Sequence, residues 1–145
     1  DCGCKMAFDT PSQQKWRTPL RDGLNWLAGR VHAIYDQRSV RAGADPWAER
    51  DAYGEVVGRR DRPDAPLLEL EKYALRMFTS CGWFFDDIGG IEAIQILRYA
   101  ARAIELSGAE KPALEAGLLD YLARAQSNDP AKGSGRDVYL NLVLH

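Results

Sequence analysis

Apolar residues recur at every third or fourth position in several separate stretches of the chain. The first stretch follows Thr10 and Pro11. Its apolar positions are Trp16, Leu20, Leu24, Leu27, Val31 and Ile34. Such spacing lines up one apolar stripe on an α-helix. Because Pro19 lies near its start, either Thr18 caps the helix, or one helix has an irregular first turn, which we prefer.

Two further helices are predicted before residue 82. Asp45 and Pro46 form a start signal for a short helix over 48–58, with a carboxylate as cap and proline at the first helical position. A solvated connection with two prolines follows over 58–66. A third helix is expected from Leu67 to about 81–82, and its apolar positions are Leu70, Ala74, Met77 and Phe78.

The second half of the chain predicts three more helices. The clearest stripe gives a fourth helix that ends at Ser107 and Gly108 in a left-handed cap, with Ile91, Ile94, Leu97, Ala101 and Ile104 as its core face. A fifth opens at 111–112 and stops at 127–130, with Leu114, Leu118, Tyr121, Leu122 and Ala125 facing inward. Residues 136–144 form a short sixth.

These elements predict an all-α fold, a bundle of about five to six amphipathic helices in a single domain over 1–145. Alternating apolar and polar positions between hairpin turns are not seen, so no sheet is required. A chain of 145 residues can bury a core large enough to fold without cross-links. Its composition of 46% hydrophobic and 28% charged residues is that of a globular protein.

Charge and hydropathy argue against two classes of partner. The 19 basic and 21 acidic side chains are interspersed and give a net charge of −2, so nucleic acid is not an expected ligand. No stretch approaches the roughly 20 apolar residues of a membrane span, and no signal peptide is recognisable. Three cysteines make no even disulfide set, which favours a reducing, cytoplasmic location. The start at Asp1 indicates a fragment of a longer protein.

Candidate chemistry is concentrated in the segment 79–92, between the third and fourth helices. It contains three adjacent aromatic residues and two adjacent acids, Trp83, Phe84, Phe85, Asp86 and Asp87. Three consecutive rings cannot all face one core, so at least one is expected to face a groove or a partner. Aromatic faces beside carboxylates suit sugar binding, which makes these five residues the predicted substrate-binding site.

A structural interpretation of the same segment stays open. Asp86 or Asp87 could cap the fourth helix while the aromatic rings close the end of the bundle. Gly89 and Gly90 favour a close approach by another backbone or by a ligand. The two adjacent acids do not form a catalytic pair, because neighbouring residues point in different directions.

No catalytic residue, metal site or cofactor is predicted. Cys2 and Cys4 lack the second ligand pair of a zinc site. His32 is expected to be a structural histidine. A redox role for Cys81 would require the N-terminal end of a helix or a cationic neighbour. Phosphate-binding loops and hydrolase motifs are absent from the sequence.

Motifs from nearly the whole chain carry a family resemblance. They are Cys2 and Cys4; Lys15, Trp16, Arg17, Pro19, Arg21 and Trp26; Asp45, Pro46, Trp47, Arg50 and Tyr53; Ser80-Cys81-Gly82-Trp83-Phe84-Phe85-Asp86 with Glu92; Arg98, Tyr99, Arg102 and Glu105; and Ser127, Asn128, Val138 and Tyr139. Together they resemble the helical C-terminal domain of unknown function found in bacterial proteins related to glycoside hydrolase family 57. The segment 80–86 is the most specific of them.

The resemblance implies a two-part enzyme of carbohydrate metabolism. An N-terminal incomplete (β/α) barrel, absent from this chain, would carry a nucleophilic glutamate and an acid/base aspartate for retaining hydrolysis or transfer of α-glucans. The helical domain would pack on that barrel and wall the substrate cleft, so it is not expected to be catalytic alone. The alternative is a purely structural or dimerisation module with no ligand site, and a homodimer is left open.

Overall fold

The computed structural model describes residues 13–41, 43, 66–78 and 87–144. Four longer helices lie in these ranges: α1 (Arg17–Arg41), α2 (Pro66–Arg76), α3 (Ile91–Leu106) and α4 (Lys111–Leu122). A short α5 (Gly135–Val138) continues as a π-helical turn over Tyr139–Val143, and a 3₁₀ turn, Gly108–Glu110, joins α3 to α4. The described residues contain no strand, only one isolated bridge between Gln126 and Ser134. The all-α prediction is confirmed.

Helix α1 runs unbroken through the position of Pro19. It begins at Arg17, so the proline lies in the first turn, where a backbone N–H has no acceptor within the helix. The first α-helical bond comes from the backbone N–H of Leu20 to the carbonyl oxygen of Trp16. The expected stripe is buried through Val31, but beyond it the helix buries Tyr35 rather than Ile34.

Helix α1 is antiparallel to both α2 and α4. Arg21, near its start, lies over the ring of Phe78 just after α2, whereas His32 contacts Glu71 in the middle of α2. Against α4, a β-carbon placed on Gly23 would come within 2.8 Å of the β-carbon of Tyr121. The two backbones are therefore packed as closely as a glycine permits.

The face of α3 that packs on the core differs in part from the expected one. Ile91 is 79% exposed, so the predicted stripe is wrong at this position. Ile94 and Ala101 are partly buried against the core, and Leu97 and Ile104 are fully buried as predicted. The buried residues of α3 are Ala93, Ile96, Leu97, Ala100, Ala103 and Ile104. The predicted stripe omits Ala93, Ala100 and Ala103, yet small side chains suit a face where helices approach closely. The left-handed cap at Gly108, with φ of 68°, is confirmed.

Two predicted boundaries also move. Helix α2 ends at Arg76, with Met77 and Phe78 in a following turn, rather than continuing to 81–82. The short C-terminal helix starts at Gly135, where Ser134 and Asp137 form a reciprocal capping box. The helix predicted over 48–58 lies outside the described residues.

Candidate functional site

The predicted binding segment is described at its end only. Trp83, Phe84, Phe85 and Asp86 lie outside the described residues, and so does Cys81. Asp87 is described, and its side chain is buried with 1% of its surface exposed. Its surroundings define what holds the C-terminal end of the segment in place.

The carboxylate of Asp87 is enclosed by hydrogen-bond donors. Its Oδ2 accepts from the hydroxyl of Ser127 at 2.7 Å and from the backbone N–H of Gly89 at 3.0 Å. Its Oδ1 accepts from the backbone N–H of Asn128 at 2.7 Å and from its Nδ2 at 3.3 Å. A buried carboxylate needs such partners to offset the loss of hydration. Asp87 is therefore held by internal hydrogen bonds, and its side chain does not face solvent.

Asn128 extends the same network to the beginning of the described chain. Its Oδ1 accepts from the backbone N–H of Gln13 at 2.8 Å, and its Nδ2 donates to the carbonyl oxygen of Gln13 at 3.1 Å. The side chain of Gln13 in turn donates to the carbonyl oxygen of Gln126 at 2.8 Å. The loop over 126–134 therefore joins the approach to α1 with the approach to α3.

Gly89 and Gly90 allow a close approach within the protein. A β-carbon on Gly89 would meet the side chain of Lys132, whose Nζ donates to the carbonyl oxygen of Gly89 at 2.8 Å. Gly90 is the N-cap residue of α3 and has an extended backbone with no side-chain cap. The group that approaches Gly89 is thus a lysine from the 126–134 loop.

A cavity of about 270 Å³ opens at the start of α1. It is lined by Arg17, Thr18, Arg21 and Asp22. The guanidinium of Arg21 lies 5.7 Å from the ring centroid of Phe78, which directly precedes the segment 79–92 in the sequence. Phe78 therefore lies close to a side chain that lines this cavity.

The lining of this cavity suits a ligand with several hydroxyl groups. Arg17 and Arg21 supply guanidinium donors, Asp22 supplies carboxylate acceptors, and the hydroxyl of Thr18 can do either. The guanidinium of Arg17 also lies 5.3 Å from the ring centroid of Trp16. Hydrogen-bond donors and acceptors thus lie together on the first turns of one helix.

Some residues of this region could not be assigned a role by sequence reasoning. Ser127 and Asn128 are predicted only to stop the fifth helix, although they also belong to the motifs that carry the family resemblance. Their signal is a Ser-Asn-Asp-Pro run after a helix, which indicates a turn but not its distant partner. Nothing in the sequence around Gln13 indicates its contact with Asn128.

Other candidate chemistry is limited in the part of the chain that the structure describes. His32 Nδ1 lies 2.7 Å from Oε1 of the buried Glu71, a structural contact. Across ranges 13–41, 66–78 and 87–144, no group of three or more His, Cys, Asp or Glu side chains could hold a metal ion. Cys2 and Cys4 lie outside these ranges. None of the described helices is both long and apolar enough to cross a membrane.

Comparison with known proteins gives one match. A family model described as Domain of unknown function (DUF3536) matches residues 13–66 and 65–145. The two matched stretches meet at the start of α2 and together include every described residue. No curated protein and no solved structure matches the chain.

Proposed function

The chain belongs to the DUF3536 family, and from the resemblance of its sequence motifs we propose that it is an accessory helical domain of a glycoside hydrolase family 57-like carbohydrate-active enzyme. In this proposal it follows an N-terminal barrel in a bacterial, cytoplasmic protein and packs on that barrel. The barrel performs retaining hydrolysis or transfer of α-glucans. The helical domain contributes one wall of the substrate cleft and no catalytic group.

The position of the two ends of the aromatic segment carries the proposal. Phe78, just before residues 79–86, lies against Arg21 of α1. Asp87, just after them, is joined through Asn128 to Gln13, shortly before α1. Both ends are thus anchored near the start of α1, where the 270 Å³ cavity opens. Trp83, Phe84, Phe85 and Asp86 are proposed to supply the ring faces and an acid beside that cavity.

Asp87 has a separate part in this proposal. Its oxygens already accept four hydrogen bonds from Gly89, Ser127 and Asn128. It therefore positions the aromatic segment, and the ligand-facing polar groups are those of Arg17, Arg21 and Asp22. Pre-organised side chains of this kind reduce the entropy that binding would otherwise cost.

The same network also favours a second candidate function, that of a purely structural or dimerisation module. A buried carboxylate whose partners are all internal needs no ligand to explain it. The two functions differ in whether the surface around Arg21 responds to a glycan.

Titration with maltooligosaccharides separates them. Tryptophan fluorescence and backbone amide chemical shifts would be followed in this chain and in a longer protein that includes the barrel. The accessory function predicts saturable shifts at Arg17–Asp22 and within 79–87, weakened by Arg21→Ala. Arg30→Ala, on the exposed side of the same helix, is the matched control. No response at these residues in either protein would leave the structural module.

A further inference from the structure

A second cavity, of about 340 Å³, lies between α3, α4 and the C-terminal turn. Ala101, Val143 and Leu144 give it an apolar wall. Leu144 is 45% exposed, although it is a large aliphatic side chain. The cavity therefore offers apolar surface that the fold itself does not cover.

Charged side chains from two helices form the rest of the lining. Arg98 and Arg102 lie one turn apart on α3, and Lys111 is the first residue of α4. Glu105 and Glu115 line the same space. Three cations and two carboxylates give the lining a net charge of +1.

Internal pairing accounts for part of this charge. Arg102 Nη1 donates to Oε2 of Glu105 at 2.8 Å. Glu115 acts on the buried hydroxyl of Tyr139, where its negative charge adds to burial in raising the pKa of the tyrosine. Among the described residues, neither Arg98 nor Lys111 has a carboxylate within ion-pair distance. Two cations from different helices thus face a cavity with an apolar wall.

We propose that this cavity binds a small organic anion, with a carboxylate or phosphate head held by Arg98 and Lys111 and a short apolar body against Val143 and Leu144. A guanidinium offers two parallel donors to such a head, and an ammonium adds a compact charge. A single negative charge matches the net charge of the lining.

This site is independent of the proposed glycan site. It is formed by α3, α4 and the C-terminal turn, whereas the other cavity is formed by the start of α1. Neutral glucans carry no charge for Arg98 and Lys111 to bind. Either proposal can therefore fail without the other.

The test uses this chain and four probes: hexanoate, acetate, inorganic phosphate and 1-hexanol. Amide chemical shifts of Ala101 and Val143 would be followed at low ionic strength. Hexanoate is expected to give saturable shifts and to bind at least about tenfold more tightly than acetate, because each buried methylene contributes about 0.8 kcal/mol. Raising the salt concentration should weaken its binding. If inorganic phosphate also gives saturable shifts, then the site binds a phosphate head group as well as a carboxylate.

Variants identify the residues that bind. Arg98→Gln and Lys111→Gln should each weaken hexanoate binding at least about fivefold, as expected for loss of one charge-assisted hydrogen bond. Arg30→Gln, on the exposed side of α1, should leave it unchanged. The thermal midpoint of each variant would verify that it is folded. The proposal is overturned if no probe gives saturable shifts, if 1-hexanol binds as well as hexanoate, or if all three variants behave alike.

Discussion

Asp87 Oδ1 accepts a hydrogen bond from the backbone N–H of Asn128 at 2.7 Å, although 41 residues separate the two in sequence. The side chain of the same asparagine contacts both backbone polar groups of Gln13. The side chains of Asp87 and Asn128 therefore connect three parts of the chain: Gln13 before α1, the residues just before α3, and the 126–134 loop. These bonds fix the C-terminal end of the aromatic segment relative to the bundle.

Replacement of Asp87 should be strongly destabilising. Asp87→Ala leaves the buried hydroxyl of Ser127, the buried backbone N–H of Gly89 and the half-buried backbone N–H of Asn128 without their acceptor. Each such group costs about 1–3 kcal/mol, so we expect the free energy of unfolding to fall by at least about 3 kcal/mol. Urea denaturation measures the loss, and Asp87→Asn, which keeps one acceptor oxygen, should lose less.

Asp120→Ala provides the control for that experiment, because Asp120 is exposed on α4. Its effect should stay within about 0.5 kcal/mol. Equal effects at the two positions would contradict the role assigned to the Asp87 network. Hydrogen exchange offers a local check, since the amide of Asn128 should lose protection in the Asp87 variants.

Replacing either glycine of α1, Gly23 or Gly29, with alanine should change the free energy of unfolding, but in opposite directions. Gly23→Ala places a β-carbon 2.8 Å from the β-carbon of Tyr121, which cannot move without α4. Overpacking costs about 1–3 kcal/mol, and the better helix propensity of alanine returns up to about 1 kcal/mol. We expect a net loss of about 1–2 kcal/mol in the free energy of unfolding.

Gly29→Ala is the matched substitution in the same helix. A β-carbon there meets no atom within 4 Å, and the position is exposed. It should raise the free energy of unfolding by about 0.5–1 kcal/mol. If Gly23→Ala also stabilises the protein, then α1 and α4 are not in close contact at this point.

The sequence allowed the helices to be predicted more reliably than their buried faces. Periodic apolar residues indicated α1, α3 and α4, because a helix needs an apolar stripe wherever it packs on a core. For α3 the predicted stripe is wrong at Ile91, which is exposed, although Leu97 and Ile104 are buried as expected. It also omits three buried alanines, Ala93, Ala100 and Ala103. Because alanine is small and only weakly hydrophobic, it contributes little to the periodic pattern that predicts a buried face. The packing of the neighbouring helices therefore decides which side of α3 is buried.

The candidate site shows a different limit of sequence reasoning. The acidic and aromatic residues of 79–92 stand out by composition, but Ser127 and Asn128, which donate to Asp87, are 40 and 41 residues away. Serine, asparagine and glutamine hydrogen-bond in many contexts, and nothing in their local sequence identifies a distant acceptor. Only the folded arrangement of α1, α3 and the 126–134 loop brings them together.

Tyr139 should make the protein less stable at alkaline pH. Its side chain is fully buried, and burial, with a smaller effect of Glu115, raises the pKa of its phenol. Because ionisation is then easier in the unfolded chain, the free energy of unfolding should decrease above the unfolded pKa of about 10, by at most about 1.4 kcal/mol per pH unit.

Tyr139→Phe removes this contribution. Its free energy of unfolding should fall less steeply than that of the wild type above pH of about 10. Absorbance near the phenolate band gives a second readout, since Tyr139 should ionise only when the protein unfolds. Equal slopes for the two proteins would contradict an increased pKa at this position.

The capping box of α5 should produce the opposite dependence, at acidic pH. The carboxylate of Asp137 accepts hydrogen bonds from the backbone N–H and the hydroxyl of Ser134, at 2.9 and 3.2 Å. These bonds, the backbone one first, lower the pKa of Asp137 below its ordinary value of 3.8. The folded state thus holds the ionised form more strongly than the unfolded chain does. The resulting stabilisation is fully present above the unfolded pKa and is lost as the pH falls through the lowered folded pKa.

Asp137→Asn should therefore be less stable than the wild type at neutral pH, and the difference should shrink as the pH falls below about 4. The effect should be small because Asp137 is exposed.

A double-mutant cycle that combines Asp137→Asn with Ser134→Ala tests the origin of this pH dependence. If the capping box causes the dependence, Asp137→Asn should have little further pH-dependent effect in the Ser134→Ala background, because both hydrogen-bonding partners belong to one unit. If Asp137→Asn has the same pH-dependent effect on stability in the Ser134→Ala background, then another group lowers the pKa of Asp137. The neighbouring Arg136 would be the first candidate.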